Sequence, residues 1–244
     1  MMKLFLSCEH GGNQVPLKYS YLFKDKRTLL NTHRGFDKGA LKLFNTLQKI
    51  DDVEFSISNK ITRLLVDFNR SLFRPTIFSE YTKHLESSQK KELLEKYYFP
   101  YRQNFHNKVN EVISQGDKVF HISVHAFAPE VDGKIRNTDI GILFDPKHSI
   151  ERYMALFWRR TLKCIFPNLV IRYNSPFSGK PDGHVAPLRK EFGEKYVGFE
   201  LELNSKHTGN LDIFYGIKKS VEKLYKLVSC DNPKTKINRQ NYAV

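Results

Sequence analysis

Four short stretches of the 244-residue sequence hold the side chains best suited to chemistry. The first is Ser7-Cys8-Glu9-His10-Gly11-Gly12-Asn13. Imidazole is a common zinc ligand, and two glycines after a histidine let the backbone approach a ligand closely. A tight turn in which His10 merely caps a backbone group is the structural alternative. The second is Thr62-Arg63-Leu64-Leu65-Val66-Asp67-Phe68-Asn69-Arg70. Charges at the two ends of a buried apolar run cost desolvation energy unless they meet partners. Asp67 and Arg70 can pair with each other, yet a guanidinium beside an amide also suits a substrate carboxylate, because the arginine fork binds two oxygens at once. The third is His121-Ile122-Ser123-Val124-His125. His125 ends the apolar run and is the ligand candidate, whereas His121 lies inside it and reads as a core histidine. In the fourth, Phe199-Glu200-Leu201-Glu202, the strand period puts both glutamates on one face. Like charges so close raise each other's pKa, so at least one needs a function or a cationic partner. Two histidines and a glutamate with arginines nearby supply what a zinc hydrolase requires: metal ligands, a base and anion clamps.

Alternating strand and helix signals position these stretches. Residues 3–7, 53–58, 62–68, 119–124, 139–144, 169–173 and 196–203 are apolar runs of strand length. Helical spacing links Ala40, Leu43, Phe44, Leu47 and Ile50, recurs over residues 150–166, and returns in Ile213, Ile217, Val221, Leu224, Tyr225 and Val228. The order predicts an α/β fold with three α/β/α layers around a mostly parallel or mixed central sheet. In such sheets functional loops gather at the carboxyl ends of strands, where the first three stretches fall. No linker divides the chain, so residues 1–230 read as a single domain, and residues 231–244, with few apolar side chains, read as a loosely held tail.

The balance of 40 Lys and Arg against 26 Asp and Glu gives a net charge of +14. The basic residues are scattered among acids with no helix-turn-helix or zinc-finger pattern, so a nucleic-acid partner is not expected and a small anionic substrate is compatible. No apolar window approaches the length of a membrane span. The three cysteines, Cys8, Cys164 and Cys230, lack metal-ligand spacing and are too few for a disulfide scaffold, which points to a reducing compartment and hence the cytoplasm. The oligomeric state is not legible.

The chain resembles the N-formylglutamate amidohydrolase family. The resemblance rests on residues 8–16 (Cys-Glu-His-Gly-Gly-Asn-Gln-Val-Pro), 33–40 (His-Arg-Gly-Phe-Asp-Lys-Gly-Ala), 62–70, 98–101 (Tyr-Phe-Pro-Tyr), 124–127 (Val-His-Ala-Phe) and 199–204 (Phe-Glu-Leu-Glu-Leu-Asn). Six such stretches in the right order are specific where any one is not. The resemblance implies a fold like that of zinc carboxypeptidases and aspartoacylase, in which a metal-bound water attacks an amide. It implies His10 and His125 as metal histidines, Glu200 as general base, Arg63 as the group polarising the carbonyl, and Asn69 with Arg70 as the substrate carboxylate clamp.

Three positions depart from the pattern. Carboxypeptidase-like sites take their second ligand from His-x-x-Glu, but the third residue after His10 is Asn13, a poor zinc ligand. Asp37 is the candidate replacement, with Glu9 the alternative. Arg102 stands where the family often has a His after Pro-Tyr, and Glu202 where it often has an Arg, both near the expected substrate face. The resulting expectation is a zinc hydrolase acting on a small anionic N-acyl amino acid, with metal ligands His10, Asp37 and His125. A peptide or cell-wall amide hydrolase on the same fold, and a non-catalytic basic binding protein, are the alternatives.

Overall fold

The computed structural model describes residues 1–180 and 182–229; the expected tail at 231–244 lies outside the described residues. In chain order the elements are β1 (Met2–Cys8), α1 (Arg27–Leu30), α2 (Ala40–Leu47), β2 (Val53–Ser58), α3 (Ser87–Leu93), α4 (Phe99–Ser114), β3 (Lys118–Phe127), β4 (Glu130–Val131), β5 (Lys134–Ile135), β6 (Ile140–Leu143), α5 (Ser149–Ile165), β7 (Ile171–Tyr173), α6 (Val185–Phe192), β8 (Tyr196–Asn204) and α7 (Leu211–Ser229). Six strands form one sheet in the order β2-β1-β3-β8-β6-β7, while β4 and β5 make a separate hairpin. The first four run parallel; β6 is antiparallel to β8, and β7 is parallel to β6. The sheet is therefore mixed, with helices on both faces.

The apolar runs are continuous because the central strands are covered on both sides. In β1, Leu4, Leu6 and Cys8 pack with Leu43 and Phe44 of α2, Trp158 of α5 and Ile217 and Val221 of α7. Phe5 points the other way, into a cluster with Phe105 and Val109 of α4 and Val185 and Leu188 of α6. Alternation along one strand thus fixes two helical layers. A buried ion pair ties the second layer to the sheet. Glu151 accepts from Arg189 Nε at 2.7 Å and from the Gly198 N–H at 3.0 Å, and Arg189 donates to the Gly179 and Gly198 carbonyls at 3.2 and 3.1 Å. With every partner in place, this charge pair is satisfied in the interior.

Two sequence expectations change. Residues 62–68 are not a strand; the segment turns, with the Leu65 N–H on the Thr62 carbonyl, and only Ile61 bridges to the sheet region through Gln14. Its apolar character reflects a different burial: Leu64 and Leu65 pack with Tyr19, Phe23 and Leu93, and Val66 and Phe68 pack with Ile77, Tyr98 and Tyr101. Helices α1, α3, α4 and α6 and the β4–β5 hairpin are additions. Between α3 and α4 the helix widens over Leu94–Tyr98, where the Phe99 N–H reaches the Leu94 carbonyl. Tyr98 in this π turn donates through Oη to the Arg70 carbonyl at 2.7 Å, and Tyr101 just beyond it donates to Glu9 Oε1 at 2.9 Å.

Candidate active site

The strand order reverses between β1 and β3, since β2 lies on one side of β1 and β8 beyond β3. Ligands bind such a switch point at the carboxyl ends of the strands. His10 follows β1 there, His125 lies near the end of β3, and the segment after β2 brings Arg63, Asp67, Asn69 and Arg70 over the same edge. Asp37 is anchored by its own N–H, which donates to the His10 carbonyl at 3.0 Å.

His10, Asp37 and His125 are buried and offer ligand atoms that all lie within 4.8 Å of one another. Asp37 Oδ2 is 3.4 Å from His10 Nδ1 and 2.9 Å from His125 Nδ1. Each histidine turns its other nitrogen to an outer carboxylate: His10 Nε2 lies 2.6 Å from Asp67 Oδ1, and His125 Nε2 lies 3.2 Å from Glu9 Oε2. That arrangement fixes both rings with Nδ1 facing inward, the pattern of a carboxylate-oriented metal histidine. Arg63 joins the two aspartates, with Nη1 3.1 Å from Asp37 Oδ1 and Nη2 3.3 Å from Asp67 Oδ2. Burial alone raises the Asp37 and Asp67 carboxyls, but His10 and Arg63 beside both outweigh it and hold them well below the usual carboxylate range. Burial likewise opposes a charge on His125, yet Asp37 and Glu9 against its two nitrogens raise its pKa well above the ordinary value. Two imidazole nitrogens and one carboxylate oxygen, all close and buried, fit a tetrahedral divalent ion with one position left for water or substrate.

A cavity of about 850 Å³ opens over this cluster, lined also by Glu200 and Glu202. Neither glutamate makes a close ion pair with Arg63 or Arg70, although Arg63 acts on Glu202 and Arg70 on Glu200 through longer-range charge interaction. Burial, with Glu9 nearby, raises the Glu200 pKa, and burial, with Asp37 and Glu200, pushes Glu202 up to about 8. Glu202 Oε2 has no hydrogen-bond partner among the described residues. Asn69 accepts from the His184 N–H at 2.6 Å through Oδ1 and sets its amide nitrogen 3.3 Å from His125 Nε2. Arg70 lines the cavity beside it, its Nη1 on the Asn69 carbonyl at 3.3 Å.

Gly183 closes this side and carried no sequence signal beyond an Asp-Gly turn. Its φ is +114°, and a Cβ there would stand 2.9 Å from both Asn69 Oδ1 and Glu200 Oε1. Gly183→Ala is therefore expected to cost about 1–2 kcal/mol in stability and at least tenfold in kcat/KM, because the methyl displaces two cavity side chains at a backbone conformation alanine resists. Melting temperature and steady-state kinetics check both effects.

Several sequence-stretch readings are sharpened by position. Glu9 is not in the cluster of ligand atoms; it accepts from Tyr101 Oη at 2.9 Å and Ser123 Oγ at 2.5 Å behind His125. Asn13 donates to the Leu30 carbonyl and Asn31, away from the cluster. Gly11 and Gly12 serve close backbone packing, since a Cβ would meet the Asn59 carbonyl at 2.9 Å and the Lys60 carbonyl at 2.4 Å respectively. Asp67 pairs with Arg63 and His10 instead of Arg70. Arg102 is not among the residues lining the cavity; it donates to the Phe68 and Gly183 carbonyls at 3.3 Å and so braces the two loops that carry Asn69 and His184. His121 is a core histidine as expected, bonded to Ser7 Oγ at 2.7 Å and driven down to about 3 chiefly by burial.

The mixed α/β sheet brings a His/Asp/His cluster and acidic groups into one cavity, and the family match puts the chain in the amidohydrolase class. The chain belongs to the N-formylglutamate amidohydrolase family, whose profile matches residues 2–207. Among solved structures, a gene product from Agrobacterium tumefaciens is similar at 21% identity and a TM-score of 0.77, over 92% of this chain and 89% of that one. The N-formylglutamate amidohydrolase from Ralstonia eutropha is similar at 13% identity and a TM-score of 0.65, over 92% of this chain and 94% of that one. Both support the fold. No curated protein matches the chain. Among the described residues, no helix is long and apolar enough to cross a membrane.

Proposed function

We propose that this protein is a zinc-dependent amidohydrolase that removes a short acyl group from an N-acyl amino acid of the N-formylglutamate kind. The observation that carries this reading is the convergence of His10 Nδ1, His125 Nδ1 and Asp37 Oδ2 beneath a cavity that also holds Glu200. His10, Asp37 and His125 would hold a zinc ion, which would supply Lewis acidity and lower the pKa of water toward neutrality. Glu200 takes the proton from the attacking water and returns it to the departing amine; its burial brings its basicity closer to neutrality than an exposed carboxylate allows. Arg63 faces the developing oxyanion with the N–H groups not engaged by Asp37 and Asp67. Asn69 and Arg70 orient the substrate carboxylate, and Glu9 and Asp67 keep the two histidines in the tautomer that leaves Nδ1 unprotonated. The free thiols of Cys8 and Cys164 support a cytoplasmic setting.

The test is metal analysis joined to a screen of N-acyl amino acids. About one equivalent of divalent metal and formate release from N-formyl amino acids are expected. Arg70→Ala should raise KM strongly for acids and narrow the preference for an acid over its uncharged amide, because only the acid loses a charge-assisted pair. Equal losses on both substrates would refute the clamp, and a metal-free protein that takes up no metal on soaking would refute the enzyme.

A further inference from the structure

Two of the cations lining the cavity are held in ion pairs. Arg63 is divided between Asp37 and Asp67, and Arg34 pairs with Glu80. Arg136 is different. It follows the β4–β5 hairpin and leads toward β6, on the opposite flank of the sheet from the segment that carries Arg70. Its guanidinium carbon lies 5.0 Å from the centre of the Phe177 ring and 5.9 Å from that of Phe127, and those two rings meet edge to face at 6.3 Å. Its backbone is pinned at both ends: the N–H donates to the Pro129 carbonyl at 2.7 Å, and its carbonyl accepts from Asn204 Nδ2 at 3.3 Å. Yet among the described residues the guanidinium has no carboxylate partner and no hydrogen bond.

A guanidinium packed against aromatic rings loses conformational freedom before any ligand arrives, while it keeps its donors. A planar two-oxygen group matches those donors bidentately, and the pre-ordering reduces what binding must immobilise. Phe127 lies two residues beyond His125 on β3, and Arg136, Arg70 and the metal-ligand cluster all line the one cavity. We propose that Arg136 is a specificity-determining residue, which binds a second carboxylate on the substrate at the end remote from Arg70. This inference rests on the proposed hydrolysis of N-acyl amino acids and assigns the wall of that same cavity that selects the diacid.

The experiment compares N-formylglutamate with N-formylglutamine, which differs only in the neutralised second carboxylate, and measures calorimetrically the binding of glutarate and of its monoamide. Wild type is expected to prefer the diacid in both assays. Arg136→Met keeps an unbranched stem against Phe177 but removes the fork, and should lower the diacid preference on the order of a hundredfold, chiefly through KM; Arg136→Lys should recover part of it. Equal losses for diacid and monoamide, or a wild type with no preference in either assay, would overturn the subsite. The two layers separate cleanly. A protein that hydrolyses neither compound yet binds glutarate better than its monoamide, with that difference lost in Arg136→Met, retires the hydrolase reading and keeps the subsite. Hydrolysis with a preference untouched by Arg136→Met does the reverse.

Discussion

Glu200→Gln is expected to fold normally and keep its metal, yet to lose on the order of a thousandfold or more in kcat with KM little changed. A base and a metal ligand fail differently when neutralised: a ligand variant loses the ion, whereas a base variant keeps it and cannot accept the proton. Glu200 lines the cavity without an ion pair to Arg63 or Arg70, and it lies outside the group of ligand atoms. Glu202 is the internal control, two residues along the same face of β8 and in register with His125, while Glu200 is in register with Ser123. Glu202→Gln should cost far less in rate. If both glutamates only balanced the arginines, either variant would lose stability and the two would lose similar rate. Zinc content, melting temperature and kcat measured side by side decide this, and an active Glu200→Gln enzyme would remove the mechanism.

The second large effect concerns the metal itself. Asp37→Asn preserves shape but replaces a carboxylate that stands between both Nδ1 atoms and also receives Arg63. The expected result is metal loss to a mild chelator, with activity falling in step with occupancy and partly returning when metal is added in excess. Glu9→Gln reaches the metal cluster through the His125 ring, so its affinity loss should stay within the roughly 10- to 100-fold typical of an outer partner. Metal retained by Asp37→Asn and lost by Glu9→Gln would move the ligand to Glu9. Retention by both would dismiss this ligand set.

The sheet was legible in the sequence because strands covered on both faces are plain apolar runs, and the apolar stripes of α2, α5 and α7 are equally direct. The segment at 62–68 deceived for the same reason: its side chains are buried as a strand's would be, but beneath the 75–101 region, and a one-dimensional pattern records burial without recording what covers it. Helix α4 escaped notice because Tyr101, Phe105, Val109 and Val112 are diluted by polar residues and preceded by Pro100. The grouping of His10, Asp37 and His125 could be anticipated through the family resemblance, since no one of their motifs is distinctive alone. The directions in which Glu9, Asp67 and Arg102 point could not, because neighbouring residues in sequence do not determine which nitrogen or carbonyl a side chain meets. Arg136 and Gly183 act through neighbours distant in sequence, and no local pattern marks them.

The strand order has a consequence for how the chain comes into being. β1 is synthesised first and can pair early with β2, but its other edge must wait for β3, whose Met2–Lys118 pairing spans more than a hundred residues. At about 5–20 residues per second, that interval lasts on the order of ten seconds on the ribosome. During it the Leu4-Phe5-Leu6 ridge lacks its second neighbour strand and the covering side chains of α5, α6 and α7, which all follow β3 in the chain. Pairings this distant are also slow to find once the chain is free, since loop closure precedes any reward in contacts. The vulnerable species is thus a nascent chain with one exposed sheet edge, and newly made protein should depend on chaperones more than its finished form does.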